Sequence, residues 1–220
     1  MYSFAQRKDT MVIDEPLYAH YLSKSLVVHP GQAEILASQE NDGDKVIQGI
    51  LKLKSPEIVF CKQMTHHLID MNTDFLSDTF NLIFIREPKA IINSYSKVIP
   101  NPKMDDIGIK MQVDLMHELQ RKKAPYLVID STDLLKSPLV FLKRLCKSIG
   151  IPFDQNMLSW KAEPRKEDGV WAEYWYKNVH QSTGFSPFKE KTISLNKEQQ
   201  ELYEACTPYY NELTNHKLTI

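Results

Sequence analysis

Four short runs of the chain are apolar at nearly every position. They are residues 11–14 (MVID), Ile58–Lys62 (IVFCK), Asn81–Ile85 (NLIFI) and Tyr126–Asp130 (YLVID). Unbroken apolar runs predict strands covered on both faces, whereas strict alternation would predict a sheet with one wet face. Stretches of helical period separate them. Val46, Ile47, Ile50 and Leu51 form one apolar stripe within 44–54, and Ile107, Met111, Leu115 and Leu119 recur every four residues and predict a helix over 105–121. Ser137 reads as an N-cap with Pro138 at the first helical position; Leu142, Leu145, Cys146 and Ile149 form the inner face, and Gly150 and Pro152 stop the helix. A last helix over 196–214 presents Leu202, Cys206, Tyr209 and Leu213, with a bend near Pro208. This β–α alternation predicts an α/β fold: a parallel sheet with helices on both faces, three layers in all.

Residues 161–191 break the pattern. They hold no sustained period and mix Trp171, Tyr174, Trp175 and Tyr176 with Arg165, Lys166, Lys177, Lys189 and Lys191. A loop of that length in a compact domain is usually functional or disordered, and its aromatic content speaks against disorder. No repeat or linker interrupts the chain, so residues 1–220 read as a single domain. Composition narrows the picture further. Hydrophobic residues make up 42% and charged residues 25%, with a formal net charge of −1. No global field therefore recruits nucleic acid, and any anion site must be local. No run approaches the roughly 18 apolar residues of a membrane span, and the N-terminus lacks the apolar core of a leader. Cys61, Cys146 and Cys206 are widely spaced and form no CxxC or CxxxH pair, which predicts reduced thiols, no metal site and a cytoplasmic protein.

The chemistry concentrates at strand ends, the edge where parallel α/β proteins bind ligands. In residues 81–98 (NLIFIREPKAIINSYSKV) a strand ends at Ile85, Arg86 follows, and Pro88 opens a helix. Ser94 lies about 9 Å further along that helix. The arginine fork and the serine hydroxyl suit a phosphate, as does the helix N-terminus. Spacing alone leaves open an Arg86 paired with Glu87. In IVFCKQMTHHLI, Lys62 ends a strand and His66 and His67 follow; lysine suits charge stabilisation and histidine proton transfer. The two histidines read equally as helix caps or as a pair buried against Met64 and Leu68. Asp14 and Glu15 end the first strand, where Glu15 is either a proton acceptor or the cap of a helix begun by Pro16. Trp171, Tyr174 and Lys177 either close over a ligand or pin the long loop to the core.

The spacing strand–R-x-P-x-x-x-x-x-S-Y resembles the sulfotransferase signature for the 3′-phosphate of PAPS (3′-phosphoadenosine 5′-phosphosulfate). Residues 127–154 (LVIDSTDLLKSPLVFLKRLCKSIGIPFD) resemble the late strand–helix of the same family. Residues 7–22 and 167–185 are similar to a subgroup, some of whose members are labelled branched-chain aminotransferase-like. A pyridoxal-phosphate transaminase needs a Schiff-base lysine with phosphate and pyridinium partners in a larger fold, and no such constellation is present here. The resemblance runs from Met1 to about Leu213. It implies a P-loop NTPase-type fold and a PAPS-dependent enzyme that moves a sulfonate to a small hydroxyl or amine acceptor. Arg86 and Ser94 would bind the cosubstrate, and Lys62, Glu15, His66 and His67 are the catalytic candidates. Nucleic acid, membrane and metal are not expected partners.

Two departures stand out. Family members often carry Lys-Thr-His with lysine and histidine two apart, whereas Lys62 lies four and five residues before His66 and His67. The family's first strand and its P-loop-like turn, roughly Trp-x-x-Pro-Arg-x-x-Ser-Thr, would precede Met1. Neither G-x-x-x-x-G-K-[ST] nor G-x-G-x-x-G occurs in the chain. The expectation is thus a fold without its first strand and P-loop. A catalytically incompetent nucleotide-binding or interaction module is the alternative to an enzyme, and a P-loop kinase-like protein is a third reading, disfavoured by the missing Walker lysine. Loss of a central strand exposes unpaired edges. The 220-residue chain is expected to melt lower and dissolve less well than an N-terminally extended one; equal melting and solubility would refute this.

Overall fold

The computed structural model describes residues 1–97, 99–190 and 192–219. Val98, which ends the Arg86 motif segment, and Lys191, the last basic residue of the long loop, lie outside the described residues. In chain order the elements begin with β1 (Thr10–Asp14), α1 (Tyr18–Lys24), α2 (Gln32–Ser38), α3 (Gly43–Leu51) and β2 (Ile58–Lys62). Next come β3 (Asn81–Ile85), α4 (Pro88–Tyr95), α5 (Met104–Ile107), α6 (Ile109–Lys122) and β4 (Tyr126–Asp130). The remainder is helical: α7 (Ser131–Lys136), α8 (Pro138–Ile149), α9 (Ala172–Trp175), α10 (Lys177–His180) and α11 (Lys197–Asn215).

All four expected strands form, and each pairs in parallel with one other. β1 pairs with β2 with Asp14 opposite Lys62, and β3 pairs with β4 with Ile85 opposite Asp130. Joined two by two, they make sheets smaller than the parallel sheet that the β–α alternation predicts. Nor are the strands covered throughout. Phe84 is 50% exposed, Met11 is 38% exposed, and every residue of β2 is only half-buried. Parallel strands alternating with helices nevertheless make the chain α/β.

Contacts gather the chain into two units, each built from two separate stretches. The first comprises Met1–Thr73 and Asp154–Ser186. Its core joins Tyr18, Ala19 and Leu22 of α1 to Ile35 of α2 and to Trp171, Ala172 and Tyr176 of the late aromatic segment. That segment is the long loop foreseen above. It folds into α9 and α10 and buries Trp171 to 2% exposure, whereas Tyr174 and Lys177 stay exposed. Trp171 therefore pins the loop to the core. Its ring also sets the shape of the turn before it, because a Cβ at Gly169 would come within 2.1 Å of the indole.

The second unit comprises Asp74–Phe153 and Pro187–Ile220. Ile83 and Ile85 of β3 and Val128 of β4 pack with Ile92 of α4, the inner face of α6, and Cys206 and Leu213 of α11. Asn196 caps α11 by accepting from the Gln199 N–H at 2.9 Å, while the Gln199 side chain accepts from the Asn196 N–H at 3.1 Å. The helix then runs on through Pro208. In α8 the buried residues are Phe141, Leu142, Leu145 and Cys146, close to the expected face, and Gly150 ends the helix at φ +78°.

One expected helix is two. Over 105–121 the period is interrupted at Gly108, whose φ of +72° ends α5 and restarts α6. The break rotates the phase, so the buried stripe of α6 is Ile109, Val113, Met116 and Leu119 rather than one continuing from Ile107. A four-residue repeat read straight across a left-handed glycine cannot register that step. A Cβ at Gly108 would meet nothing within 4 Å, so substitution there tests conformation alone. Gly108→Ala is expected to cost about 1–2 kcal/mol in urea unfolding; an unchanged midpoint would show that the left-handed turn is not required.

Candidate functional site

The carboxyl ends of β1 and β2 bring three of the expected residues together. Parallel register sets Asp14 beside Lys62, and the Glu15 N–H donates to the Lys62 carbonyl at 2.8 Å. Glu15 turns there with φ +40°, and its side chain meets the Lys62 ammonium directly. It caps no helix. Lys62 Nζ also donates to the Tyr176 hydroxyl at 2.7 Å and stands 3.4 Å from Asp14 Oδ1. The ammonium lies 5.1 Å from the Tyr176 ring centre as well.

Asp14 is the hub of this cluster. Its side chain is fully buried and accepts from the Tyr176 hydroxyl at 2.8 Å, the Trp171 indole at 3.1 Å and the Gly169 N–H at 3.3 Å. A buried carboxylate is tolerated when charge and donors surround it in this way. Burial and the two carboxylates push the Tyr176 phenol far up, so it remains a donor. Burial also raises the Glu15 carboxyl, with the Lys62 charge opposing it.

His67 completes the inner wall. It is 1% exposed, with its ring stacked on Tyr18 at 5.0 Å and on Tyr21 at 5.2 Å. Its Nε2 faces Glu15 Oε2 at 3.8 Å and its Nδ1 faces Gln63 Oε1 at 3.3 Å. Burial first, then the charges of His66 and Lys62, drive its pKa well below the usual imidazole value. His67 is thus neutral and sealed. His66 is half-buried, edge-on to His67 with ring centres 4.7 Å apart and tilted against Tyr21 at 4.6 Å.

In the second unit, β3 delivers Arg86 to the turn before α4, and Ser94 lies in the last turn of that helix. Both are exposed. Glu87 does not pair with Arg86; its carboxylate accepts from the Ala90 N–H at 2.9 Å and caps α4. Among the described residues no ion pair engages Arg86.

Sequence reasoning missed Tyr176, Asp168 and His180, which prove to be tied into the carboxylate networks of the first unit. Asp168 accepts from the Tyr2 hydroxyl at 2.7 Å and from the His180 ring at 3.0 Å. The available signal was polar residues set at short intervals inside the aromatic segment, with no periodicity to say which face they take. Cys61, Cys146 and Cys206 are all free, and burial pushes the Cys61 and Cys206 thiols up to about 11. Among the described residues no cluster of His, Cys, Asp and Glu is arranged to hold a metal, and no helix is long and apolar enough to cross a membrane.

A family model described as "Sulfotransferase domain" matches residues 1–217. The chain belongs to the sulfotransferase-domain family. Two curated relatives from Arabidopsis thaliana, branched-chain-amino-acid aminotransferase-like proteins 1 and 2, are 38% and 36% identical over 218 residues. The match takes in 98% of this chain and 39% of each relative, so the chain spans well under half of the proteins that carry that name. Among solved structures, the sulfotransferase domain of the curacin biosynthetic pathway aligns at TM-score 0.44 and 14% identity, over 74% of this chain and 68% of that one. The sulfotransferase domain of the Synechococcus PCC 7002 olefin synthase aligns at 0.48 and 16%, over 90% and 94%.

The state of His67 has a pH signature. In the unfolded chain its imidazole takes a proton near pH 6.5, while in the folded chain it does so only at lower pH. Its contribution to stability is therefore complete above pH 6.5 and lost as the pH falls from there toward the folded value. Glu15 has the opposite sign, because its raised folded pKa favours the folded state at low pH and that benefit fades as the pH rises. His67→Gln is expected to flatten the decline in melting temperature between pH 7 and about 5. An unchanged slope would show that His67 is not buried in its neutral form.

Proposed function

We propose that this sulfotransferase-family chain binds PAPS and transfers its sulfonate to a small hydroxyl or amine acceptor. The observation that carries the reading is Arg86, exposed after β3 and without an ion pair among the described residues, while Glu87 is committed to the α4 cap. A guanidinium left available at a helix start fits a phosphate dianion. Arg86 and Ser94 would hold the 3′-phosphate. The bound nucleotide would supply an activated sulfonate on its 5′-phosphate.

The chain's own residues would then manage charge and protons. Lys62 offers a fixed positive charge at the carboxyl edge of β1 and β2, held in place by Glu15, Asp14 and Tyr176. Glu15, with its raised carboxyl, and His66 and His67 are titratable groups around it. No metal enters the scheme. Three free cysteines fit a reducing, cytoplasmic setting.

A second reading, a non-catalytic module that keeps nucleotide affinity, draws support from one observation. His67 is sealed by stacked rings and Lys62 is already engaged by two carboxylates, so neither offers an open reactive group. Both readings require nucleotide binding. Calorimetric titration with PAP, the desulfated product nucleotide, and with ATP is expected to show tighter binding of PAP, weakened about tenfold or more by Arg86→Ala. PAP binding no better than ATP, or unaffected by Arg86→Ala, would overturn the nucleotide assignment.

A further inference from the structure

The first unit holds a second carboxylate that the roles above leave unused. The Asp168 side chain is only 5% exposed. Its Oδ2 accepts from the Tyr2 hydroxyl at 2.7 Å, the Arg165 N–H at 2.8 Å and His180 Nε2 at 3.0 Å. Its Oδ1 is buried and has no partner among the described residues. An ionised carboxylate can only accept, so this contact assigns the His180 proton to Nε2 and leaves a lone pair on Nδ1. Among the described residues nothing donates to that Nδ1, and the His180 side chain is 21% exposed.

His180 also stands next to the Lys62 cluster. Its ring is edge-on to Tyr176, with centres 6.1 Å apart at 83°, and the Tyr176 hydroxyl contacts both Lys62 and Asp14. Two other bases of this unit are worse placed. His67 is sealed at 1% exposure, and Glu15 is bound to Lys62. A proton acceptor must be reachable by its substrate, correctly tautomerised and able to hold the charge it gains. Of these bases, His180 meets all three conditions.

We infer that His180, oriented by Asp168, takes the proton of the acceptor's hydroxyl or amine, an assignment that rests on the sulfotransferase reading above. In that step the acceptor's O–H or N–H bond breaks and its proton moves to His180 Nδ1. The electron pair left on the acceptor forms the new bond to sulfur. The bond from sulfur to the 5′-phosphate oxygen of the phosphosulfate donor breaks, and its pair departs with the phosphate. Asp168 is the positioning residue: its unspent Oδ1 leaves negative charge to set against the imidazolium.

Two measurements on the full 220-residue chain test this. The first is carbethoxylation by diethyl pyrocarbonate at pH 7, located by mass spectrometry. His180 is expected to react several-fold faster than His67, and Asp168→Asn to slow it, because the carboxylate no longer supports the developing imidazolium. A residue that merely pinned α10 would outpace the sealed His67 by its exposure alone, but its rate would not depend on the Asp168 carboxylate. The second is PAPS turnover with 4-nitrophenol or with water as acceptor. His180→Gln is expected to lower kcat by about 10²-fold or more with PAP affinity unchanged. Asp168→Asn should lower kcat about tenfold or more, while His117→Gln, an exposed histidine of the second unit, should leave turnover intact. Unimpaired kcat in His180→Gln overturns the assignment, as does a His180 no more reactive than His67. So does a chain that binds PAP yet turns over PAPS with neither acceptor. Failure to bind PAP at all would instead defeat the nucleotide reading, and the carbethoxylation rates would still decide the state of His180.

Discussion

The first unit depends on making one buried negative charge tolerable. Asp14 ends β1 with no exposed side-chain surface, and an isolated carboxylate in that position would cost far more than a small protein's whole stability. The cost is offset by Tyr176, Trp171, the Gly169 N–H and the Lys62 ammonium. Meeting that demand explains much of the surrounding architecture. The parallel register of β1 and β2 must bring Lys62 level with Asp14. The aromatic segment must return across more than 150 residues of sequence to deliver its donors. Gly169 must be a glycine, because the indole that serves Asp14 occupies the space a Cβ would take.

The same arrangement decides what the neighbouring groups can do. Lys62 is pulled toward carboxylates, Glu15 becomes a weaker acid, and Tyr176 stays protonated and bridges the pair. His67 is walled in by Tyr18 and Tyr21. On the function proposed above, reactivity would come from groups at the edge of this network, where a side chain keeps one atom for the structure and one for solvent. The chain's membership of the sulfotransferase-domain family is the context in which this cluster is to be read.

Much of this was legible in the sequence, for definite reasons. The four strands are short, unbroken apolar runs bounded by polar residues, and three of them have the expected limits residue for residue. α8 carries its own start and stop in Pro138 and Gly150. That Lys62 and Glu15 lie at neighbouring strand ends was legible because both close an apolar run, and the parallel register then brings them together. What stayed hidden was non-local or out of phase. The stripe of α6 was misphased because the left-handed turn at Gly108 rotates everything after it. Spacing could not tell whether Arg86 pairs with Glu87; the contact between the Glu87 carboxylate and the Ala90 N–H shows where that carboxylate goes instead. Tyr176, Asp168 and His180 sit in a stretch with no period, so nothing local marks their direction.

Each unit draws on two stretches of chain, and the stretches interleave. A nascent chain leaving the ribosome would therefore present Asp14 and Lys62 long before Trp171 and Tyr176 exist to cover them. The second unit waits similarly, because the Tyr210 hydroxyl that donates to the buried Asp130 at 2.8 Å lies in the final helix. Neither half can finish as an independent early piece, and both must hold open, half-apolar surfaces through most of synthesis. Such non-local closure is slow and leaves intermediates prone to association. The interleaving makes assembly a late, concerted event, and a cell producing this chain has to protect these surfaces until α11 has emerged.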